Sequence, residues 1–518
     1  MSLFQLAAFG IAGAGLCRLC PRRLRYVVLL VISFGFYAAR ALTGLPFLLL
    51  TMLTTWAAAL RIGRIAQALK AQLAQQALGR EEKRRMKEAA RGRQRRWMLA
   101  ALVLNFAVLA VLKYTDDLLG WTGAQPLGLL LPLGISFYTF QSMGYLLDVY
   151  GGKIQPERSL PRFALFVSFF PQLIQGPIGR YGELAPQLAA PEDVDFDGMR
   201  RGLMLMFWGL FKKLVIADRA LPVIDAVFSA QAGAYGGAMN VLAVLLYAAQ
   251  QYCDFSGGID LVTGIARLCG VRLAPNFRRP YFAVSLGDFW RRWHITLGAW
   301  MRDYVFYPFA LTRPMARLSK AAKGRFGAEF ARALPAALGN LLVFLLVGLW
   351  HGATANYLLW GFYNGAILAI TALLEPVYKR MNARLPRLTA SRGFHIFRVL
   401  RTFLIVNIGW FFDRCARAGD AMRMLGSVVT GWRGSELNLT LLAALGLPQK
   451  EAAVLALALL LLFAVSLAQE HGADVGGWVL RQKLPVRWFI LMAGIVSVLL
   501  LGVWGSGFDE ATFIYYQF

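Results

Sequence analysis

Two stretches near the end of this chain, residues 452–468 and 488–505, contain no charged side chain. Apolar runs of similar character recur at 3–17, 26–39, 45–60 and 98–113. A helix needs about twenty residues to cross the hydrocarbon core of a bilayer. In lipid each backbone polar group must be satisfied within the spanning structure, which leaves helices and closed barrels as the only solutions. A barrel strand would alternate polar and apolar residues over segments of about ten, and that pattern is absent. The chain therefore reads as an all-α polytopic membrane protein of roughly ten to twelve spans, some broken or re-entrant. Its composition agrees: 58% hydrophobic, 16% charged, with a mean hydropathy of +0.52.

The formal net charge is +27. The cations cluster in loops beside apolar helices, as the positive-inside bias predicts, so a lipid bilayer rather than nucleic acid is the partner they imply. Arg61 to Arg96 alone holds twelve Lys/Arg against three Glu. It is expected to be an amphipathic helix lying on anionic lipid at the cytoplasmic face. Residues 1–60 then form N-terminal spans, 61–97 the basic cytoplasmic segment, 98–412 a central core, 413–505 further spans, and 506–518 a tail. Counting outward from the basic segments places the N-terminus and the tail on the extracytoplasmic side. No cation precedes the first apolar run, so a cleaved signal peptide is not expected there. The five cysteines show no paired metal spacing.

Several segments break the helical pattern. Leu131-Pro132-Leu133-Gly134 predicts a broken helix within 127–150, and Phe170-Pro171 with Gly176-Pro177 predicts a re-entrant one. Asp254 and Asp260 fall at near-membrane depth, where carboxylates are paired; Arg267, Arg278 or Arg279 are the expected partners. Basic loops at 313–332 and 379–401 frame residues 333–374 as a two-span hairpin, with His351 near its turn. Topology between 150 and 285 is left open.

The chain has four histidines. Two of them lie in one window, Leu286 to Phe362. His294 follows Asp288-Phe289-Trp290-Arg291-Arg292-Trp293, and His351 follows Trp350 and precedes Gly352-Ala353. A titratable group in an apolar segment is a functional-site candidate by default. His351 has small neighbours that admit a substrate, and a buried imidazole suits a general base near neutral pH. His294 reads equally as a structural imidazole or a catalytic one. Arg291 and Arg292 are candidates for an anionic donor head, with a lipid headgroup as the equal alternative. Metal binding is not expected, because the histidines lie 57 positions apart with no ligand cluster beside them. No nucleophile elbow or P-loop occurs.

Taken in order, these motifs resemble the membrane-bound O-acyltransferase (MBOAT) family. The resemblance is to its bacterial branch, which contains alginate O-acetylases and the teichoic-acid D-alanyl transfer protein. The residues that carry it are Pro132 to Tyr138, Phe170 to Ile174, Gly176-Pro177-Ile178, Asp254 to Gly257, Asp288 to Thr296, Arg302-Asp303-Tyr304, Trp350-His351-Gly352 and the terminal Phe513-Ile514-Tyr515-Tyr516-Gln517-Phe518. The resemblance implies acyl relay from a cytoplasmic thioester donor through a central tunnel to an extracytoplasmic SGNH-type transferase and a cell-surface polysaccharide. It matches His351 to the family's signature histidine and His294 to the second one. By the terminal motif, Tyr515 would be a covalent acyl carrier. Trp290, Arg291, Arg292, Asp303 and Trp350 are the expected donor-side residues.

Tyr307-Pro308-Phe309-Ala310-Leu311-Thr312 departs from the glycine-rich basic turn of alginate acetylases, which leaves alginate itself open as acceptor. Acetyl from acetyl-CoA, with no bound cofactor, is favoured over D-alanine from a carrier protein. The bacterial cytoplasmic membrane is the expected location. A non-enzymatic transporter or flippase of a lipid-linked glycan is the competing reading from another class, and acylation of secreted proteins or lipids is a third.

Overall fold

The computed structural model describes residues 3–75, 79–231 and 233–504. Among the described residues every regular element is helical. Six stretches are long and apolar enough to cross a membrane: Arg22–Gln75, Arg80–Thr122, Arg313–His351, Arg392–Arg414, Gln449–Glu470 and Leu484–Leu501. Ala355–Leu373 and Glu375–Arg384, bent by 56° at their junction, would make a seventh. Arg22–Gln75 itself contains two helices, Arg25–Ala41 and Leu45–Gln75. Shorter apolar helices include Leu3–Leu19, Ile135–Gly151, Leu286–Arg292 and Ile295–Met301, and Gly237–Leu268 is a further long helix of 32 residues. The chain divides into two compact units, one running to Leu203 and including Val262–Ala274, the other comprising Met204–Leu261 and the chain from Pro275 onward.

In the first unit the basic segment does not form a separate helix. Leu45–Gln75 and Arg80–Thr122 carry their apolar portions straight into their basic ones. No proline interrupts either arm, so good helix formers propagate the helix beyond its apolar part. Asn105 Nδ2 donates to Thr54 Oγ1 at 3.1 Å, and Gln94 Nε2 to the Ile62 carbonyl at 3.3 Å, which ties the two arms together. The expected in-plane amphipathic helix is therefore a pair of helical arms. The break expected near Pro132 is present: Gly134 adopts φ 70°, and the helix Ile135–Gly151 starts directly after it. A Cβ at Gly134 would stand 2.6 Å from the Leu173 carbonyl oxygen, so both the left-handed backbone and the close approach demand glycine. The second expected break falls at Phe169, between the helices Leu160–Ser168 and Phe170–Gln175.

The second unit carries the candidate site. Its principal hairpin joins Arg313–His351 to Ala355–Leu373 through Gly352, Ala353 and Thr354. The stretch 313–332, expected as a loop, is helical up to a non-helical Gly327 at φ 85°. The two hairpin arms touch backbone to backbone. A Cβ on Gly348 would lie 2.5 Å from the Tyr357 carbonyl oxygen, and one on Gly361 2.4 Å from that of Phe344. Small residues at a crossing let helices in a membrane approach until van der Waals contact holds them. Asn356 Nδ2 donates to the carbonyls of Phe412 (3.3 Å) and Cys415 (3.0 Å), which anchors the turn to the end of Arg392–Arg414.

The partners expected for the buried carboxylates are corrected here. Asp254 and Asp260 pair with Lys213 and Lys212, at 2.6 and 2.8 Å. Arg279 is engaged elsewhere, with Glu470 at 2.6 Å. The cause is a π-helical turn, Phe211–Ala217, that points two consecutive lysines inward. The backbone N–H of Val503 donates to the Leu214 carbonyl at 3.1 Å, just before the described chain ends at Trp504. Tyr515 and the tail 506–518 lie outside the described residues.

Candidate active site

Ser285 opens the first element of the site: its hydroxyl accepts from the Asp288 N–H at 3.1 Å and caps the helix Leu286–Arg292. The helix ends at an extended Trp293, and His294 takes the left-handed conformation, φ 44°, ψ 53°, before Ile295–Met301 begins. Among the described residues His294 and Arg279 are the two non-glycines with positive φ. Such backbone persists only where its surroundings over-determine it. Here they do. Asn276 Oδ1 accepts from the Thr296 N–H at 3.1 Å and from Thr296 Oγ1 at 2.9 Å, and lies 3.2 Å from His294 Nδ1. The Ile295 N–H also donates to the Asn276 carbonyl at 3.0 Å.

This pattern assigns the tautomer. An atom that accepts a backbone N–H is the amide oxygen, so Nδ1 must carry the hydrogen between it and Asn276. Nε2 then carries the lone pair and is the basic nitrogen. His294 is 4% exposed. Burial pushes its imidazole down to about 3, so it is neutral throughout the usual pH range. The Phe255 ring meets it edge-on at 4.9 Å and 89°.

His351 is built differently. It is the last residue of Arg313–His351 and is half-buried. The extended Gly352 stops the helix. Aromatic rings wall the imidazole: Trp350 at 5.0 Å, Trp360 at 5.0 Å and Tyr357 at 5.7 Å. Trp350 also lies 6.2 Å from His294, between centroids. One tryptophan thus contacts both histidines.

The remaining expected residues divide. Trp290 joins the cluster through Trp360 at 5.5 Å, and its Nε1 donates to Asn364 Oδ1 at 3.2 Å, so it braces the short helix against Ala355–Leu373. Arg292 turns to Glu470 at 2.8 Å and Asp288 at 3.2 Å. Arg291 is directed outward, its side chain 71% exposed and 3.5 Å from Asp288. Asp303 sits in the π-helical turn Arg302–Phe306 and accepts from Arg302 at 3.0 Å. Sequence reasoning assigned no role to Asn276 or Phe255, although Phe255 falls inside the motif Asp254 to Gly257. No local spacing signals them, because their contacts arise 18 and 39 residues away from His294. Among the described residues no group of three or more His, Cys, Asp or Glu is arranged to hold a metal ion.

A half-buried imidazole and a buried, oriented neutral one, both set against Trp350, have the chemistry to exchange a proton with a hydroxyl. Residues 154–408 match the MBOAT, membrane-bound O-acyltransferase family. The chain is 34% identical over 438 residues to the protein named Probable alginate O-acetylase AlgI of Pseudomonas syringae pv. tomato, covering 82% of this chain and 74% of that one. It is 32% identical to the peptidoglycan O-acetyltransferase of Helicobacter pylori, over 65% of each chain. It is 27% identical to the teichoic acid D-alanyltransferase of Bacillus subtilis, over 55% of this chain and 69% of that one. The chain belongs to the membrane-bound O-acyltransferase family and is a multi-pass membrane O-acyltransferase.

Proposed function

We propose that this enzyme moves an acetyl group from cytoplasmic acetyl-CoA across the bacterial cytoplasmic membrane for O-acetylation of a cell-surface polysaccharide. The observation that carries the reading is the placement of His294 and His351 against one tryptophan, one imidazole buried and oriented, the other half-buried at a helix end. The likeness to proteins named for alginate and peptidoglycan O-acetylation supports acetyl and a polysaccharide acceptor.

His351 takes the phenolic proton of Tyr515 as its oxygen attacks the thioester carbonyl carbon. The carbon–sulfur bond breaks, the thiol leaves with the proton, and a tyrosyl ester remains. A phenol's ordinary pKa near 10 makes a base necessary at neutral pH. A hydroxyl of the acceptor, presented by an extracytoplasmic SGNH-type transferase, then takes the acetyl group and restores Tyr515. His294 positions donor or tail through Nε2. Arg291 is the better candidate for the anionic donor head, because Arg292 is held by Glu470. The described chain ends at Trp504 in the unit that holds both histidines, with the Val503 N–H bonded to the Leu214 carbonyl. Family membership supports acyl transfer over glycan transport.

The test is labelling of purified protein with radioactive acetyl-CoA, followed by mass analysis of the C-terminal peptide. One acetyl group on wild type, and none on His351→Ala or Tyr515→Phe, is expected. Full labelling of Tyr515→Phe sinks the carrier role. Labelling only from a D-alanyl carrier thioester would redirect the donor to that of the teichoic-acid relatives.

A further inference from the structure

The buried ion cluster beside the site has no role in the transfer steps above. A π-helical turn is rare and concentrates at functional positions. Here it turns Lys212 and Lys213, neighbours in sequence, both into the interior, 2% and 3% exposed. Lys212 Nζ lies 2.8 Å from Asp260 Oδ2 and donates to Ser256 Oγ at 2.8 Å. Lys213 Nζ lies 2.8 Å from Asp218 Oδ1 and 2.6 Å from Asp254 Oδ1.

The two carboxylates on Lys213 differ in what they are attached to. Asp218 is five positions along the same helical run, so that pair is local. Asp254 belongs to the helix Gly237–Leu268, and its next residue, Phe255, is the ring that meets His294 at 4.9 Å. Lys213 therefore links the π-helical turn to the wall of the imidazole. Lys212 reinforces the link, with Nζ 5.7 Å from the centroid of Tyr252, whose ring packs on Phe277 at 5.9 Å and Trp293 at 6.3 Å.

The backbones meet nearby. A Cβ on Gly209 would lie 2.4 Å from the Gly257 carbonyl oxygen, and one on Gly257 2.7 Å from that of Gly209. A glycine contact of this kind sets the separation of two helices but leaves rotation about their axes undetermined. An ion pair on one side of the contact fixes that rotation, and buried ionic groups are best attested as devices of register. A small rotation of Gly237–Leu268 would carry Phe255 across the face of His294.

We propose that the Lys213–Asp254 pair is a positioning device that holds Phe255 against His294 and so keeps the imidazole in its transfer geometry; this rests on the reading of the histidine site above. Lys213 and Asp254 are positioning residues, acting through Phe255.

Two substitutions separate this from a merely structural role. Asp254→Asn and Asp218→Asn each neutralise one of the two described carboxylates on Lys213, and each removes the same charge from an equally buried place. Asp254→Asn is expected to lower kcat for acetyl transfer about tenfold or more, with KM for acetyl-CoA within about twofold. Asp218→Asn should stay within about twofold in both. The second readout does not need activity: histidine-labelled protein has four imidazoles, and His294 is assigned by its loss in His294→Gln. Its NMR resonance, set by the edge-on Phe255 ring, should move in Asp254→Asn and hold in Asp218→Asn. Equal effects of the two variants on kcat and on that resonance overturn the proposal. A selective resonance shift in a protein that transfers no acyl group from any thioester supports the positioning and sinks the function. If Asp254→Asn does not accumulate folded, Phe255→Leu takes its place, with the same kcat loss expected; wild-type kcat in that variant overturns the proposal.

Discussion

His294 is 4% exposed and separates two seven-residue helices, whereas His351 is half-buried and ends the long helical stretch Arg313–His351, kinked at Gly327. His294 is held by a side chain 18 positions away, and Asn276 decides which of its nitrogens bears the proton. His351 is placed by a glycine-lined helix crossing and surrounded by rings. On the proposed function, the difference separates two requirements of one site. An orienting group gains from being locked and kept neutral, while a group that exchanges protons with a reactant must be reachable. Trp350 couples the two by touching both.

The largest expected effect breaks the comparison at its open end. His351→Ala should lower acetyl transfer by about 10²–10⁴-fold, the usual weight of general-base catalysis. Thermal stability should fall only slightly, because the ring is half-buried. Radiolabel transfer from acetyl-CoA in detergent is the measurement. If His351→Ala kept most of the activity and His294→Gln lost it, the two roles would have to be exchanged.

The next effect strikes the locked end. Asn276→Ala removes the acceptor for Thr296 N–H, Thr296 Oγ1–H and His294 Nδ1–H. Leaving buried donors unpaired costs about 1–3 kcal/mol. The released imidazole should cost about 10–100-fold in kcat, as outer partners of functional histidines commonly do. Wild-type kcat alongside a clear loss of melting temperature would leave Asn276 a purely structural residue.

A pH series sharpens the contrast. Burial lowers the His294 pKa from 6.5 to about 3 in the folded protein. Between those values the unfolded chain binds the proton and the folded one does not, so this group's stabilisation is complete above about 6.5 and is lost as pH falls toward 3. Melting temperatures from pH 7 to pH 3.5 should therefore fall less steeply in His294→Gln than in wild type. An acid limb of kcat/KM above pH 5 belongs to another group and should persist in that variant.

The smallest effects concern the two arginines. Arg292→Ala removes one of two cations held by Glu470, and should destabilise the fold more than Arg291→Ala, whose side chain is 71% exposed. Arg291→Ala should change stability by no more than about 0.5 kcal/mol. As the donor-facing cation it should raise KM for acetyl-CoA about fivefold, the worth of about 1 kcal/mol of exposed charge pairing. An unchanged KM would remove Arg291 from the donor site.

Much of this was legible in the residues. The basic stretches on either side framed 333–374 as a hairpin with His351 near its turn, and the chain does turn there, at Gly352, Ala353 and Thr354. Pro132 and Gly134 announced the break before Ile135–Gly151. The basic stretches misled, since cations were read as loop or surface helix where the backbone simply continues as helix through 61–75, 80–97 and most of 313–332. Charge reports which solvent a segment tolerates and carries no signal about where a helix ends.

Apolar period, helix breakers and the rarity of histidine are properties of neighbouring residues, so the sequence by itself determined the membrane class, the hairpin and the two candidate imidazoles. The choice of Lys213 for Asp254, of Asn276 for His294 Nδ1, and of Glu470 for Arg292 was decided only by the tertiary structure. A buried polar group takes whichever partner packing brings within about 3 Å, and several arginines lay nearer in sequence to Asp254 than the lysine it found.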